Sequence, residues 1–375
     1  MRILQIVPDV SNADGITNVL IKYMREFKNK GVIYDFLCFD ASEDSKKQNY
    51  FKNEIEDLKG KVYYISSPFN PISFFREWKL FCKKHRGQYD YLENNLTFLG
   101  VFFKNAKSEL GVKKVITHSH VTKFGDSFLS NIRNKAFFYL TGAPLGDILF
   151  SCSSVAGSKM FGKSIYKKSW YVINNSFNIE AYKYNVDIRK KVRQNMNWNG
   201  KFVIGNVGRF TAQKNHKFII ELFKRYALIN KNAILILVGE GKLKKKILKK
   251  VKKAGIQDKV LFLGIRKDVP YLLQGFDMFL FPSRFEGLGL SVVEAQIAGL
   301  HCIVSDNVPK EANITNYKPI SLKDHVNVWI NMMKKDSGKK RILDGHESAF
   351  RHGFDINVAA KRLYEIYNKI GENNG

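Results

Sequence analysis

The stretch "KFVIGNVGRFTAQKNHKFIIELFKRYALINKNAILILVGEG" (residues 201–241) decides the fold. An apolar run opens it and turns at Gly208. A helix follows whose apolar face is Phe218, Ile219, Leu222, Phe223 and Tyr226, and a second apolar run closes the unit. Apolar runs joined by an amphipathic helix are the strands of a parallel sheet covered on both faces. The cycle continues through "KVLFLG", "MFLFPS" and "HCIVSD", and ends on the helix "NVAAKRLYEIYNKIG".

Upstream the same alternation appears. "RILQIV" reads as a buried strand and "GITNVLIKYMREFKNKG" as an amphipathic helix ending at Gly31. The strand "YDFLCF", a charged loop and helix, the strand "KVYYIS" and the helix "ISFFREWKLFCKKH" follow. Then come "YDYLENN", a helix near 98–110 and the strand "KKVITHSH". Between the two runs, "YVINNSFNIEAY" (171–182) reads as a linker. The economical architecture is α/β, two Rossmann-like, doubly wound domains, which suits a length of 375 residues.

Apolar residues make up 45% of the chain, enough for large cores. The cysteines (Cys38, Cys82, Cys152, Cys302) lack CxxC spacing, which argues against a disulfide framework or zinc site and suits a reducing cytosol. "MRILQIVPDV" is too short an apolar stretch for a signal peptide, and other apolar runs fall short of the roughly 20 residues of a spanning helix, so a soluble or peripheral protein is expected. The formal charge is +28, of which residues 181–375 carry +19. Such an excess attracts nucleic acid, phospholipid or a phosphorylated small molecule. The run "GKLKKKILKKVKKAG" (241–255) reads as an amphipathic helix with a lysine-rich wet face, because Leu243, Ile247, Leu248 and Val251 recur at helical spacing. No RNP, zinc-finger or aromatic-interleaved basic pattern points to nucleic acid, and none is expected as a partner.

Ligands of doubly wound sheets bind beyond the carboxyl ends of the strands, which singles out three loops. In "VGRFTAQKNH", Arg209 and Lys214 follow a strand and precede a helix whose amino terminus has unpaired N–H groups, with Asn215 as a candidate cap. Two cations and a helix dipole make an anion site; the bland alternative is two solvated cations. In "LVGEGKL", Gly239 and Gly241 permit backbone approach to a ligand, though tight turns need glycine too. In "FEGLGLSVVEAQ" (285–296), Gly287 and Gly289 let Leu288 and its neighbours present amides, and Glu286 and Glu294 offer acceptors for hydroxyls. Ser291-x-x-Glu294 is also a capping-box pattern, and spacing alone favours the cap. Together, cations for a diphosphate and carboxylates for hydroxyls suit a nucleotide-sugar.

"VGRF…QKN", "FLGIRKDV", "LLQGFDMFLFPSRFEGLGLSVVEAQIAGL" and "IVSDNVPKE" resemble the donor half of the retaining family 4 (group 1) glycosyltransferases of GT-B fold, the kind that build bacterial capsular and exopolysaccharides. "RILQIVP", "GITNVLIKY" and "KKVITHSHVT" resemble that family more loosely, so the likeness covers nearly the whole chain. It implies an acceptor-binding domain at 1–178 and a donor-binding domain at 179–354, facing across a cleft. The final helix, about 355–375, is expected to pack back on the first domain. It implies a hexosyltransferase using a UDP-sugar, with a glycan or lipid-linked acceptor, in the cytoplasm or at the inner face of the membrane. Arg209 and Lys214 match the pair that holds the donor diphosphate. Glu286 matches the first acid of the EX7E motif, which orients the sugar, and Glu294 the second, which binds the ribose. Gly287 and Leu288 match loop positions contacting sugar or phosphate; Gly208 and Gly239 fall with the donor loops, and Arg266 and Asp268 near the base. His120 matches an active-site histidine near donor sugar and acceptor. Gly15 falls where relatives carry a glycine pair on the acceptor side, but "ADGIT" supplies one glycine only. No DxD motif occurs, which suits a metal-free mechanism in which protein cations replace Mg²⁺, and no cofactor is expected.

Other readings are set against these. His118 and His120 alternate on a strand and share a face, so a metal pair is conceivable, without a third ligand in view. A dinucleotide oxidoreductase would want GxGxxG after the first strand, where "PDVSNADGITN" stands instead. A basic protein binding nucleic acid or anionic membrane on an inactive sugar-nucleotide fold remains the competing reading. "PISFFREWKLFCKKHR" (71–86) sets Phe74, Phe75, Trp78 and Phe81 among basic residues, either as a contact with an anionic membrane or as a core-packed helix with a basic outer face.

Overall fold

The computed structural model describes residues 1–10, 15–39, 51–122, 124–125, 128–143 and 145–372. The chain divides into two compact units, Met1–Ser176 with Ile356–Gly375, and Phe177–Asp355.

The first unit holds β1 (Arg2–Ile6), β2 (Ile33–Phe39), β3 (Val62–Ile65), β4 (Tyr91–Asn94), β5 (Lys114–Ser119), β6 (Ile148–Ser151) and β7 (Ser169–Val172), in the order β3-β2-β1-β4-β5-β6-β7. Every pairing in that sheet is parallel. The second holds β8 (Phe202–Val207), β9 (Ala233–Val238), β10 (Val260–Gly264), β11 (Met278–Phe281) and β12 (His301–Val304), ordered β10-β9-β8-β11-β12 and again parallel throughout. Two Rossmann-like, doubly wound domains are therefore present, as the alternating pattern predicted. In each the strand order reverses beside the first strand, between β1 and β4 and between β8 and β11, which creates one crevice per sheet.

The helix His216–Ile229 explains why the stretch at 201–241 reads so clearly. Ile219, Leu222, Phe223 and Tyr226 lie buried against Ile204 and Leu235 of the strands. In the helix Lys244–Lys253, Ile247 and Val251 enter that core and Leu248 stays 42% exposed, so the lysine run is the outer face of a packed helix. The helix Pro71–His85 combines both alternatives weighed for it. Phe74, Trp78 and Phe81 are buried in the first core, whereas Phe75, Ile72 and Leu80 are 53%, 83% and 61% exposed.

Some expectations shift. β6 and β7 did not stand out in the sequence, and β7 takes up the first residues of the expected linker. The helix expected near 98–110 is a 3₁₀ stretch, Thr97–Phe103, followed by a short helix, Ala106–Leu110. Part of the expected loop before Lys52 lies outside the described residues. The final helix, Ile356–Glu372, buries Leu363, Ile366, Tyr367 and Ile370 and belongs to the first unit.

Candidate functional site

At the β8/β11 reversal the two following loops interlock. The backbone N–H of Arg284 donates to the Gln213 carbonyl (2.8 Å), and Ser283 Oγ lies 3.0 Å from the same oxygen. Asn215 occupies the N-cap position of His216–Ile229 with φ 55°, yet makes no capping bond; its Nδ2 donates to the Pro282 carbonyl at 3.1 Å. The expected cap is thus a clamp between the loops, because the left-handed backbone turns the side chain away from the helix amides.

These ties bring Lys214 and Glu286 together. Lys214 Nζ donates to Glu286 Oε1 at 2.8 Å, with the side chains 15% and 5% exposed. Gln213 Nε2 donates to Glu286 Oε2 (3.2 Å), and Ser283 Oγ also donates to Oε1. The Lys214 ammonium sits 4.7 Å from the Phe281 ring centroid, a cation–π contact that helps hold it in place. A buried ion pair is tolerable only when further hydrogen bonds satisfy the charges, and Gln213 and Ser283 provide them. Neither stood out in the sequence, since a lone amide and a lone hydroxyl in a loop carry no spacing signal.

Gly208 and Gly239 meet across neighbouring loops. Gly239 has φ +134°, and a Cβ there would lie 2.3 Å from the Gly208 carbonyl oxygen. The chain's own close packing accounts for this glycine, as it does for Gly241, whose added Cβ would sit 2.7 Å from the Phe210 nitrogen. Arg209 is exposed at the start of its loop. Arg266 and Asp268 form a bidentate pair (Nε–Oδ1 2.7 Å, Nη2–Oδ2 2.6 Å), in which each holds the other's charged form, raising the arginine's pKa and lowering the carboxyl's.

Glu294 is not the capping residue that spacing alone favoured. The helix runs Leu290–Ile297 with Gly289 (φ +94°) at its N-cap, so Ser291 already lies inside the first turn and the box is out of register. Instead Glu294 Oε1 accepts from the hydroxyl of Tyr182, at 2.8 Å. Burial, and then Glu294 itself, push that phenol's pKa well above its usual value. Gly287 and Leu288 are buried beside this helix start.

The remaining candidates belong to the first unit. Gly15 is exposed at the first residue of the helix Gly15–Phe27, and residues 11–14 before it lie outside the described residues. His120 follows β5 and is buried, its Nε2 at 2.8 Å from Asn95 Oδ1. Burial, aided by neighbouring His118, pushes its pKa well below that of free imidazole. Among the described residues, no group of three or more His, Cys, Asp or Glu side chains could hold a metal ion. No helix among them is long and apolar enough to cross a membrane.

Residues 187–319 match the family model "Glycosyl transferases group 1". The chain is 27% identical to "Putative glycosyltransferase EpsF" of Bacillus subtilis (strain 168), over 98% of this chain and 96% of that protein. It is 25% identical to the capsular polysaccharide biosynthesis glycosyltransferase CapH of Staphylococcus aureus, over 88% and 90%. Among solved structures, Anabaena Alr3699/HepE in complex with UDP-glucose superposes with a TM-score of 0.77, covering 98% of this chain and 100% of that one at 18% identity. Its two parallel, Rossmann-like domains match GT-B glycosyltransferase structures. The chain thus has the GT-B fold, and its residues 187–319 are similar to the group 1 glycosyltransferases.

Proposed function

We propose that this chain is a retaining, metal-independent hexosyltransferase. It moves a sugar from a nucleotide diphosphate, UDP by preference, to a glycan or lipid-linked acceptor of a bacterial cell-envelope polysaccharide. The observation that carries this reading is the meeting of Lys214 and Glu286 at 2.8 Å where the second sheet reverses its strand order. A fixed cation beside a fixed carboxylate in a doubly wound crevice suits a ligand that is anionic at one end and hydroxylated at the other. The names of the capsular relative and of the UDP-glucose complex support the same chemistry.

In this reading Arg209 and Lys214 hold the diphosphate, and Glu286 orients the sugar with help from the Gly287 and Leu288 amides. Glu294, steadied by Tyr182, accepts from the ribose hydroxyls. Arg266 and Asp268 lie toward the base. His120 faces the sugar and acceptor, with Gly15 on the acceptor side. As the anomeric C–O bond breaks, negative charge gathers on the diphosphate while the acceptor hydroxyl attacks from the same face. Preorganised cations are worth most at that point.

The test is a screen of UDP-sugars for hydrolysis and for protection against thermal unfolding, run alongside Lys214→Met and the surface control Lys245→Ala. One UDP-sugar should protect the wild type and Lys245→Ala but not Lys214→Met. Equal protection of all three, or of none, would remove the assignment.

An anionic membrane is proposed as a further partner, bringing the enzyme to a lipid-linked acceptor. Its support is the outward face of the helix Pro71–His85, where Ile72, Phe75 and Leu80 alternate with exposed Arg76, Lys79 and Lys83 at helical spacing.

A further inference from the structure

The first sheet also has a reversal point, and charge is buried beside it. Gln5 of β1 and Glu93 of β4 are register partners there, 0% and 1% exposed. Polar side chains this deeply buried need partners, and Glu93 has three among the described residues. Gln5 Nε2 donates to its Oε2 (3.0 Å), the Tyr367 hydroxyl donates to the same oxygen (2.7 Å), and His118 Nδ1 lies 2.7 Å from Oε1. Nothing in the mechanism above uses this cluster.

Its value lies in direction. Amide nitrogen and oxygen, and the two imidazole tautomers, are told apart by the network around them, and a carboxylate can only accept. Glu93 therefore obliges Gln5 to turn its Nε2 inward, which leaves Gln5 Oε1 as an acceptor. Asn95 Nδ2 donates to that oxygen at 2.8 Å, and also to the Glu93 backbone carbonyl at 3.3 Å. Asn95 Oδ1 is then the acceptor that meets His120 Nε2 at 2.8 Å, so this ring nitrogen must carry the proton. Nδ1 is left bare. It is buried and has no hydrogen-bond partner among the described residues, and the same holds for Nε2 of His118, whose other nitrogen serves Glu93. The two rings lie 3.9 Å apart, centroid to centroid.

We propose that Glu93 is a positioning residue: acting through Gln5 and Asn95, it holds His120 as the Nε2–H tautomer and keeps Nδ1 as an acceptor for a substrate hydroxyl. The hydroxyl rests on the proposed function, in which His120 faces sugar and acceptor; the tautomer does not. Burial also works against a second proton on this ring, consistent with its low pKa.

Long-range ¹H–¹⁵N correlation on the full chain, labelled at histidine nitrogens, reads the tautomer directly. The wild type should show His120 with a protonated Nε2 and a bare Nδ1. In Glu93→Gln the new amide can donate toward Gln5, the relay loses its sense, and the His120 signals should move to a mixed or reversed tautomer. Turnover should fall on the order of tenfold, the worth of one neutral hydrogen bond. Tyr367→Phe removes one partner of Glu93 without reversing the relay, so it should leave the tautomer in place. If Glu93→Gln does not fold, Gln5→Met cuts the relay at its middle and should shift the same signals. A wild-type His120 protonated at Nδ1 would overturn the proposal, as would a relay variant whose tautomer stays put or shifts without any change in turnover. Absence of transfer in the wild type would instead strike the proposed function, leaving the tautomer readout intact.

Discussion

Replacing Lys214 by methionine separates what the buried pair does for folding from what it does for turnover. The substitution keeps the stem over Phe281 and removes one of the donors to Glu286, a carboxylate only 5% exposed. Stripping a buried charge of its partner costs about 3–5 kcal/mol when nothing else meets it. Here Ser283 and Gln213 still donate to Glu286, so the loss should be near the value of one charge-assisted hydrogen bond, about 2 kcal/mol. Adding Glu286→Gln removes the stranded charge, and the double variant should return to within about 1 kcal/mol of the wild type. Turnover should behave differently. If Lys214 stabilises the departing diphosphate, initial rates on the donor should fall about 10²–10³-fold in the single variant and stay low in the double. Urea unfolding followed by tryptophan fluorescence gives the first quantity, and donor consumption measured far below the unfolding midpoint gives the second. A double variant that recovers stability and rate together would show the pair to be scaffolding and refute the catalytic reading.

Tyr182→Phe deletes the hydroxyl that holds Glu294 at 2.8 Å; donor affinity by calorimetry should weaken about fivefold, roughly 1 kcal/mol, and unchanged affinity would take Glu294 out of the donor site. Acid should destabilise the second unit through His216, whose ring stacks on Phe210 and whose pKa burial, with a contribution from Lys214, lowers to about 3. The unfolded chain takes up that proton near pH 6.5 and the folded chain does not, so this stability is intact above 6.5 and drains away as the pH falls toward 3. By pH 5 the loss from this residue should be about 2 kcal/mol, and His216→Phe should show a correspondingly shallower pH dependence of unfolding; equal slopes would contradict the assignment. Vesicles rich in anionic lipid should carry the wild type upward on flotation at low salt and release Ile72→Glu/Leu80→Glu, whereas no flotation of the wild type would end the membrane proposal.

The strands and helices around residues 201–241 were legible because each rule of patterning agrees there: an apolar run, a glycine, a helix with one apolar face, another apolar run. β6 and β7 were not, since "ILFS" and "SWYV" are short and their flanks lack a clear helical period. In the candidate site, Lys214 and Glu286 could be named from types and spacing, but their direct pairing could not. It depends on chain segments 72 positions apart returning to the same sheet edge. Tyr182 was hidden for the same reason, at 112 positions from Glu294. Ser291 misled because a capping box is defined by where the helix begins, and Gly289, with its positive φ, starts it two residues early. Gln5 and Glu93 did not stand out in the sequence, because what they orient emerges only when β1 and β4 lie side by side.

Because Lys214 and Glu286 already neutralise one another, the crevice is not a bare positive trap. A free inorganic anion would gain the ammonium only by breaking its bond to Glu286, which Gln213 and Ser283 would then hold with one charge-assisted donor fewer, and so competes less well. A molecule bringing an anion for the lysine and hydroxyl protons for the acid replaces both halves of the bond at once. On the proposed function, this pairing would discriminate against the abundant small phosphates of a cell.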